Sequence, residues 1–367
     1  MKFLFQATTV SACCFFMSQN VYAVDVSESS LEVYGKFHLA LSYMDSGVDA
    51  SEVDNGSGLS DGDVSLSSNS SRIGFKGEIP TGVDDLVAFY QLEQTINLDG
   101  HDGDTFATRN SYLGLRGLEK GVTHWEVKAG YHDTLAKSVG ELAMLGDTVA
   151  DRRAIMGAGA TSGNKADKRV ANMLLGTYYV ESGRSKVALS AQYSAEATDS
   201  KGTVDNNDAG FAAMGVTWKQ GGLVAALAHD YWKNGASANM HLTRAATQYK
   251  QGDWTGVVLA ENLRKSGDLD RKAWGAQLAL KDGSFKWIGS VFVAESYKGS
   301  DDTGAVMTSL GVERSMSKVL KTYAVYTRTA NDANARYQGV DGGVNDELKT
   351  TAGNDPQAVS AGIVLKF

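Results

Sequence analysis

Between Asp133 and Arg169 the chain carries Glu141, Asp147 and Asp151 together with Lys137, Arg152, Arg153, Lys165 and Lys168, acids and bases interleaved over 37 residues. Fixed charges at that density do electrostatic rather than covalent chemistry: carboxylates raise the local occupancy of cations, and basic groups that of anions. Covalent chemistry has no matching constellation. The six histidines are scattered with no pair at metal-ligand spacing, and His132-Asp133 reads as a strand end rather than a catalytic couple. No phosphate-cradling loop occurs. The chain therefore reads as a non-enzyme, with neither cofactor nor metal expected. A structureless segment as long as 133–169 normally has a function. Folded inward it would narrow a lumen and set opposite charges across it; folded outward it would be a solvated, mixed-charge surface.

The elements that must position this segment are strands. Five candidates precede it, at about 31–44, 70–80, 84–97, 107–117 and 122–132, and eleven follow, from 170–181 to 357–367. Several alternate cleanly. Phe285, Trp287, Val291 and Val293 oppose Lys286, Ser290, Ala294 and Ser296, and Val187, Leu189, Ala191 and Tyr193 oppose Ala188, Ser190, Gln192 and Ser194. The segments 107–117 and 253–263 do not resolve into two faces. Short turns such as Thr81-Gly82-Val83, Gln220-Gly221 and Gln251-Gly252 alternate with longer polar loops such as Asp45–Asn69, Leu98–Phe106, Asp133–Arg169 and Ala330–Pro356. That alternation sorts short turns to one end of the strands and long loops to the other, as in an outer-membrane barrel. A strand of about 11 residues at ~3.3 Å each, tilted by about 45°, rises roughly 25 Å, the height of an apolar membrane band. Tyr34, Tyr43, Trp125, Trp218, Tyr231, Trp232 and Trp254, near strand ends, suit the aromatic girdles of such a barrel. The final strand, Ala358–Phe367, ends on an aromatic residue that would close the barrel against the first strand.

Residues 1–23 read as an export signal: Lys2, an apolar stretch from Phe3 to Met17, then Val21-Tyr22-Ala23 at the cleavage site. Val10-Ser11-Ala12-Cys13 also fits the pattern before a lipidated cysteine, and either reading exports the chain. Removing 1–23 removes Cys13 and Cys14, so the mature domain, 24–367, has no cysteine and no disulfide framework. Its 34 basic and 43 acidic residues give net −9, which argues against nucleic acid as a partner. No mature stretch approaches the ~18 apolar residues of a membrane helix. Two prolines and 41 glycines suit many paired strands joined by turns.

Val33-Tyr34-Gly35-Lys36, Ser71-Arg72-Ile73-Gly74-Phe75-Lys76-Gly77, Gln91-Leu92-Glu93, Tyr112-Leu113-Gly114-Leu115 and the terminal Phe367 together resemble the Gram-negative general porins, from Leu31 to the C-terminus. The resemblance implies an all-β fold, a 16-stranded antiparallel transmembrane β-barrel with an inward-folded third loop (133–169), assembled as a homotrimer. It implies a water-filled channel in the outer membrane for passive diffusion of small hydrophilic solutes and ions. It also implies a transverse field between basic residues of the wall and acids of the third loop. By the matching motifs Lys36, Arg72 and Arg169 look like wall bases, and Asp147 like a loop acid, with Glu141 and Asp151 beside it. Period two independently puts Arg72, Gly74 and Lys76 on one face and Ile73 and Phe75 on the other. The family's Gly-Arg after the fifth strand is here Gly130-Tyr131, and its Pro-Glu-Phe-Gly-Gly is Leu142–Thr148, so a weaker field is expected. The sign of the ion preference stays open on these residues. A solute-selective porin for an oligosaccharide or anion, and an adhesin or phage receptor using the long loops, are the other readings. The acids of the first and last loops would either bridge divalent cations to outer-membrane lipid and lipopolysaccharide or be solvated. Phe367 would be the end that the barrel assembly machinery recognises.

Overall fold

Period-two alternation holds along most of the chain, and the computed structural model converts it into one continuous sheet. It describes residues 29–53, 57–100, 106–157, 166–195, 210–233, 239–265 and 269–367; the expected export signal lies outside them. The strands are β1 (Glu32–Asp45), β2 (Asp61–Ser68), β3 (Arg72–Pro80), β4 (Leu86–Thr95), β5 (Ser111–Glu119) and β6 (Val122–Asp133). After the third loop come β7 (Arg169–Ser182), β8 (Ser185–Ser194), β9 (Phe211–Gln220), β10 (Leu223–Trp232), β11 (Met240–Gln251) and β12 (Trp254–Lys265). The chain finishes with β13 (Leu269–Asp282), β14 (Phe285–Ala294), β15 (Ala305–Ser315), β16 (Leu320–Asn331) and β17 (Gln357–Lys366). All neighbours pair antiparallel, and β17 pairs with β1 from Lys36↔Lys366 to Asp45↔Gln357, so the sheet closes on itself.

The barrel has sixteen staves although seventeen strands are described, because β2 and β3 are one stave broken in two. Both pair with β1, β2 opposite Leu39–Asp45 and β3 opposite Glu32–Lys36. The break falls at 69–71, where Ser70 takes a left-handed conformation (φ 50°) and Ser71 Oγ receives the His38 amide at 2.9 Å. The first loop expected over 45–69 is therefore corrected: its last third is strand. Asp61–Ser68 is mostly Ser, Asp and Gly, so only Val64 and Leu66, exposed on the outer face, mark the alternation. The expected alternation of turn and loop lengths also weakens at one place. β12 runs to Lys265 and β13 starts at Leu269, so that loop is no longer than the short turns.

Outward positions carry the apolar surface. Leu41, Phe75, Leu92, Leu113, Leu174, Leu189, Met214, Val258, Leu278, Leu310 and Ile363 are all exposed, as lipid-facing side chains must be. Trp125, Trp218, Trp254 and Trp287 ring the short-turn end. Two of the aromatics expected in the girdles point inward instead. Trp232 is buried against Phe211 (ring centroids 4.5 Å), and Tyr34 donates to Glu93 Oε2 at 3.0 Å. Phe367 caps the seam: its ring lies 5.2 Å from that of Phe37, its carbonyl accepts from Gly35 N at 2.9 Å, and a methyl at Gly35 would collide with it. No described helix is long and apolar enough to cross a membrane.

The buried apolar cluster lies between the third loop and one side of the inner wall. Ala136, Val139, Met144, Leu145, Val149, Ala150, Ile155 and Met156 of the loop share it with Ala226, Ala228, Leu242, Val257, Leu259 and Ala279 of the strands. This explains why 253–263 shows no clean alternation. Val257 and Leu259 face inward yet are apolar because the loop, not water, covers them. Each such side chain removed from water contributes about 1.5–3 kcal/mol.

Candidate functional site

The third loop starts with a six-residue helix, α1 (Leu135–Gly140), whose N-cap Thr134 accepts from the Lys137 amide at 3.1 Å. Small inward residues let the loop approach the wall: Leu135 packs over Gly215, and Leu145 sits over Gly311. Polar side chains on the same wall then satisfy the loop backbone, which would otherwise be buried unpaired. Asp230 accepts from Ala136 N (3.1 Å), Gln248 donates to Leu142 O (3.2 Å), and Gln277 both accepts from Met144 N (2.6 Å) and donates to Met144 O (3.0 Å). These contacts reach inward positions from β10 to β13.

A buried ionic anchor holds the end of the loop. Arg244 binds Asp167 (2.5 Å) and Glu261 (2.6 Å), Arg152 binds Asp167 (3.0 Å), and Arg271 binds Glu261 (3.2 Å). Glu261 also accepts from Gly157 N at 2.7 Å, and Arg152 Nε donates to Gly140 O at 2.7 Å. The Arg271 guanidinium donates to the Tyr337 hydroxyl (2.6 Å), so the last loop, 332–356, hangs on the same cluster. That loop folds inward too, with Tyr337, Val340, Val344 and Leu348 buried.

The six residues singled out in the sequence separate into two groups. Lys36, Asp147 and Asp151 come together: Lys36 Nζ meets Asp147 Oδ2 at 2.7 Å, and Arg153 joins Asp147 (2.9 Å) to Asp151 (2.7 Å). The expected picture sets wall base and loop acid across a gap, whereas here they touch. The last loop covers them, for Ser70 Oγ donates to Gly343 O at 3.2 Å, and a methyl on Gly343 would run into Asp147. Asp147 and Leu145 adopt φ of 59° and 62°, the left-handed turn that aims the Asp147 carboxylate at β1. Burial alone would raise the Asp147 carboxyl, but Lys36 and Arg153 outweigh it and hold it well below the usual carboxylate range. With Asp151 only 2% exposed, this trio acts as a clasp between loop and wall.

Arg72, Arg169 and Glu141 form the second group and remain open to the lumen. Arg72 lies on the inward face, as its period predicts, 3.3 Å from Glu93 with its side chain 28% exposed. Arg169 Nε lies 3.3 Å from Asp133 and donates to Asn110 Oδ1 at 3.0 Å. Glu141 keeps 59% of its side chain exposed, 4.0 Å from Arg152. The protein mass around it inside the barrel still costs it hydration, and this pushes its carboxyl above the usual range despite Arg152 and Arg153.

Sequence reasoning missed Glu93, Arg109, Asp133 and Lys137 as site residues. Glu93 accepts from Tyr34 and from Arg109, the latter at 2.7 Å, and forms an ion pair with Arg72; Asp133 is shared by Lys137 (2.5 Å) and Arg169. Asn110 braces the Asp133–Arg169 pair, donating to Asp133 Oδ2 at 2.7 Å and accepting from Arg169 Nε at 3.0 Å. Period two along 84–97 puts Glu93 inward; Arg109 follows from no comparable signal, since it precedes β5.

The chain matches the Gram-negative porin family over residues 7–334. No curated protein matches it. Among solved structures it is similar to the anion-selective porin from Comamonas acidovorans, with 20% identity, a TM-score of 0.70, and 93% of this chain and 100% of that one covered. It is similar to in-vitro folded OmpT of Vibrio cholerae in its trimer form (16% identity, TM-score 0.65, coverage 92% and 99%) and to Salmonella typhi OmpF in complex with daunomycin (14%, 0.64, 92% and 97%). At these identities the likeness is one of fold. The family match spans most of the barrel, and the chain belongs to the Gram-negative porins.

Proposed function

We propose that the narrow, water-facing section of this channel carries an excess of positive charge and passes small anions in preference to cations. As a porin, the protein is an outer-membrane channel for passive diffusion of small hydrophilic solutes and ions. The observation that carries the preference is a repeated stoichiometry. Glu93 is shared by Arg72 and Arg109, and Asp133 by Lys137 and Arg169, so each acid leaves one positive charge uncancelled. Lys36, Arg153, Asp147 and Asp151 cancel one another. Among the described residues, Glu141 is the acid left open against these bases. The acidic outer loops attract cations at the mouth, but salt screens them beyond about 8 Å at physiological ionic strength. The likeness to an anion-selective porin supports the same sign.

Changing Arg72 and Arg109 to Gln should move the reversal potential in a salt gradient toward cations and leave the conductance within about twofold. An ion about 7 Å from a unit charge at bulk dielectric feels roughly 0.6 kcal/mol, or about threefold per charge. An unchanged reversal potential would refute the assignment. We further read the chain as exported through cleavage after Ala23, inserted by the barrel assembly machinery through its Phe367 end, and assembled as a homotrimer among lipid and lipopolysaccharide. The trimer form of a structural neighbour supports the oligomer. An oligomer of three chains resistant to mild detergent is the expected result on a gel.

A further inference from the structure

Seven inward-facing lysines collect at the short-turn end of the barrel, on the wall from β8 to β17, against two inward carboxylates, Glu313 and, on the neighbouring β7, Glu181, which lies 2.7 Å from Lys186. Parity fixes their direction. Lys219 shares a face with Gly215, Lys250 with Gln248 and Lys281 with Gln277, all of which meet the third loop from inside. Lys186 shares a face with Gln192, which donates to Asp133 O at 3.1 Å. Lys286 and Lys321 both reach Glu313, at 3.9 and 2.6 Å, and Lys366 lies in register with Lys36.

The register makes the arrangement unusual. Lys186 stands directly opposite Lys219, Lys281 opposite Lys286, and Lys36 opposite Lys366. Like charges directly opposite on one face of a sheet are destabilising. Glu181, Glu313 and Asp147 each meet one lysine of a pair, but Lys219, Lys281 and Lys366 face theirs with no ion pair of their own among the described residues. On the same end of the wall from β1 to β6 every inward base described has an acid: Lys76 with Glu32 (2.9 Å), Arg116 with Glu78 (2.5 Å), Lys128 with Glu126 (4.0 Å). The imbalance is thus confined to one arc. In outer-membrane barrels the short turns face the periplasm.

We propose that this arc is a periplasmic docking site for small multivalent anions of the phosphate type. A compact trianion placed among the lysines relieves their mutual repulsion, whereas a monovalent ion relieves little of it. The site rests on the protein being an open channel but not on the charge preference of the constriction, which belongs to other residues.

Inorganic tripolyphosphate, added to one side of channels inserted in a single orientation in a planar bilayer, tests this. It should reduce the potassium chloride current from the short-turn side at concentrations at least about threefold lower than from the loop side. Paired Lys281→Gln and Lys286→Gln changes should raise the blocking concentration by about tenfold. Paired Lys219→Gln and Lys250→Gln changes should act in the same direction. Because these substitutions remove repulsion, the variants should fold at least as well as the parent. Equal block from both sides, no block from either, or block unchanged in both double variants would overturn the proposal. The reversal potential in potassium chloride reads the constriction instead, so a failure there is distinguishable from a failure here.

Discussion

The inner wall of this barrel is two surfaces made from one kind of strand. From β9 to β15 many inward positions carry Gly, Ala, Val or Leu, and the third loop lies on them. From β3 to β7 many carry Arg, Lys, Glu, Gln or Tyr and face the lumen. The same ionic chemistry does different work on the two. On the covered side Arg244, Glu261, Asp167 and Arg271 are out of reach of water and hold the loop in place. On the open side Arg72, Arg169 and Asp133 stay partly exposed to the lumen, with the nearly buried Glu93 between Arg72 and Arg109. Lining a channel and anchoring a loop therefore differ in the cover over the ion pairs more than in their residue types.

The covered side should be the more fragile. Arg244→Met leaves Asp167 to Arg152 alone and Glu261 to Arg271 alone, two buried acids with one base fewer; removing one partner of a buried pair typically costs about 3–5 kcal/mol. The barrel should persist, because its strand pairing is untouched, while the loop detaches. Protease cleavage between 135 and 157 and larger, noisier single-channel currents are the expected signs; a quiet channel of parental conductance would count against the anchor. A smaller effect is expected from Gly311→Leu, whose Cβ would lie 3.1 Å from Leu145 Cδ2. Overpacking of this kind costs about 1–3 kcal/mol and should lift the loop tip, measurable as a lowered melting temperature with a modest change in conductance.

Acid should act on the open side first. Glu141 protonates above its ordinary value of 4.5, so its charge is lost as the pH falls from 7 toward that value. Anion preference should rise over that window, and Glu141→Gln should abolish the step. The clasp responds in the opposite sense. The Asp147 carboxyl is held below its ordinary 3.8, so its contribution to stability is intact above that value and is lost only as the pH falls further, toward its depressed folded value. An acid unfolding transition that begins above pH 5 and vanishes in Asp147→Asn would break this assignment.

The barrel was legible because lipid on one face and water on the other enforce period two, and Phe367 and the turn spacing placed the seam. Legibility fell where a third environment intervened. At Val257 and Leu259 loop cover makes both faces apolar, and at Asp61–Ser68 a polar strand reads as loop. Arg72 could be aimed inward from its neighbours alone. The direct contact of Lys36 with Asp147 could not be foreseen, since it depends on left-handed turns at Leu145 and Asp147 and on cover from a loop almost two hundred residues further on.

The charge excess on the open wall is the central claim, and the zero-current potential of the unmodified channel in a tenfold potassium chloride gradient at pH 7 tests it most directly. The account predicts that the dilute side becomes negative, as chloride crosses ahead of potassium. A positive dilute side would show that potassium leads and would contradict it.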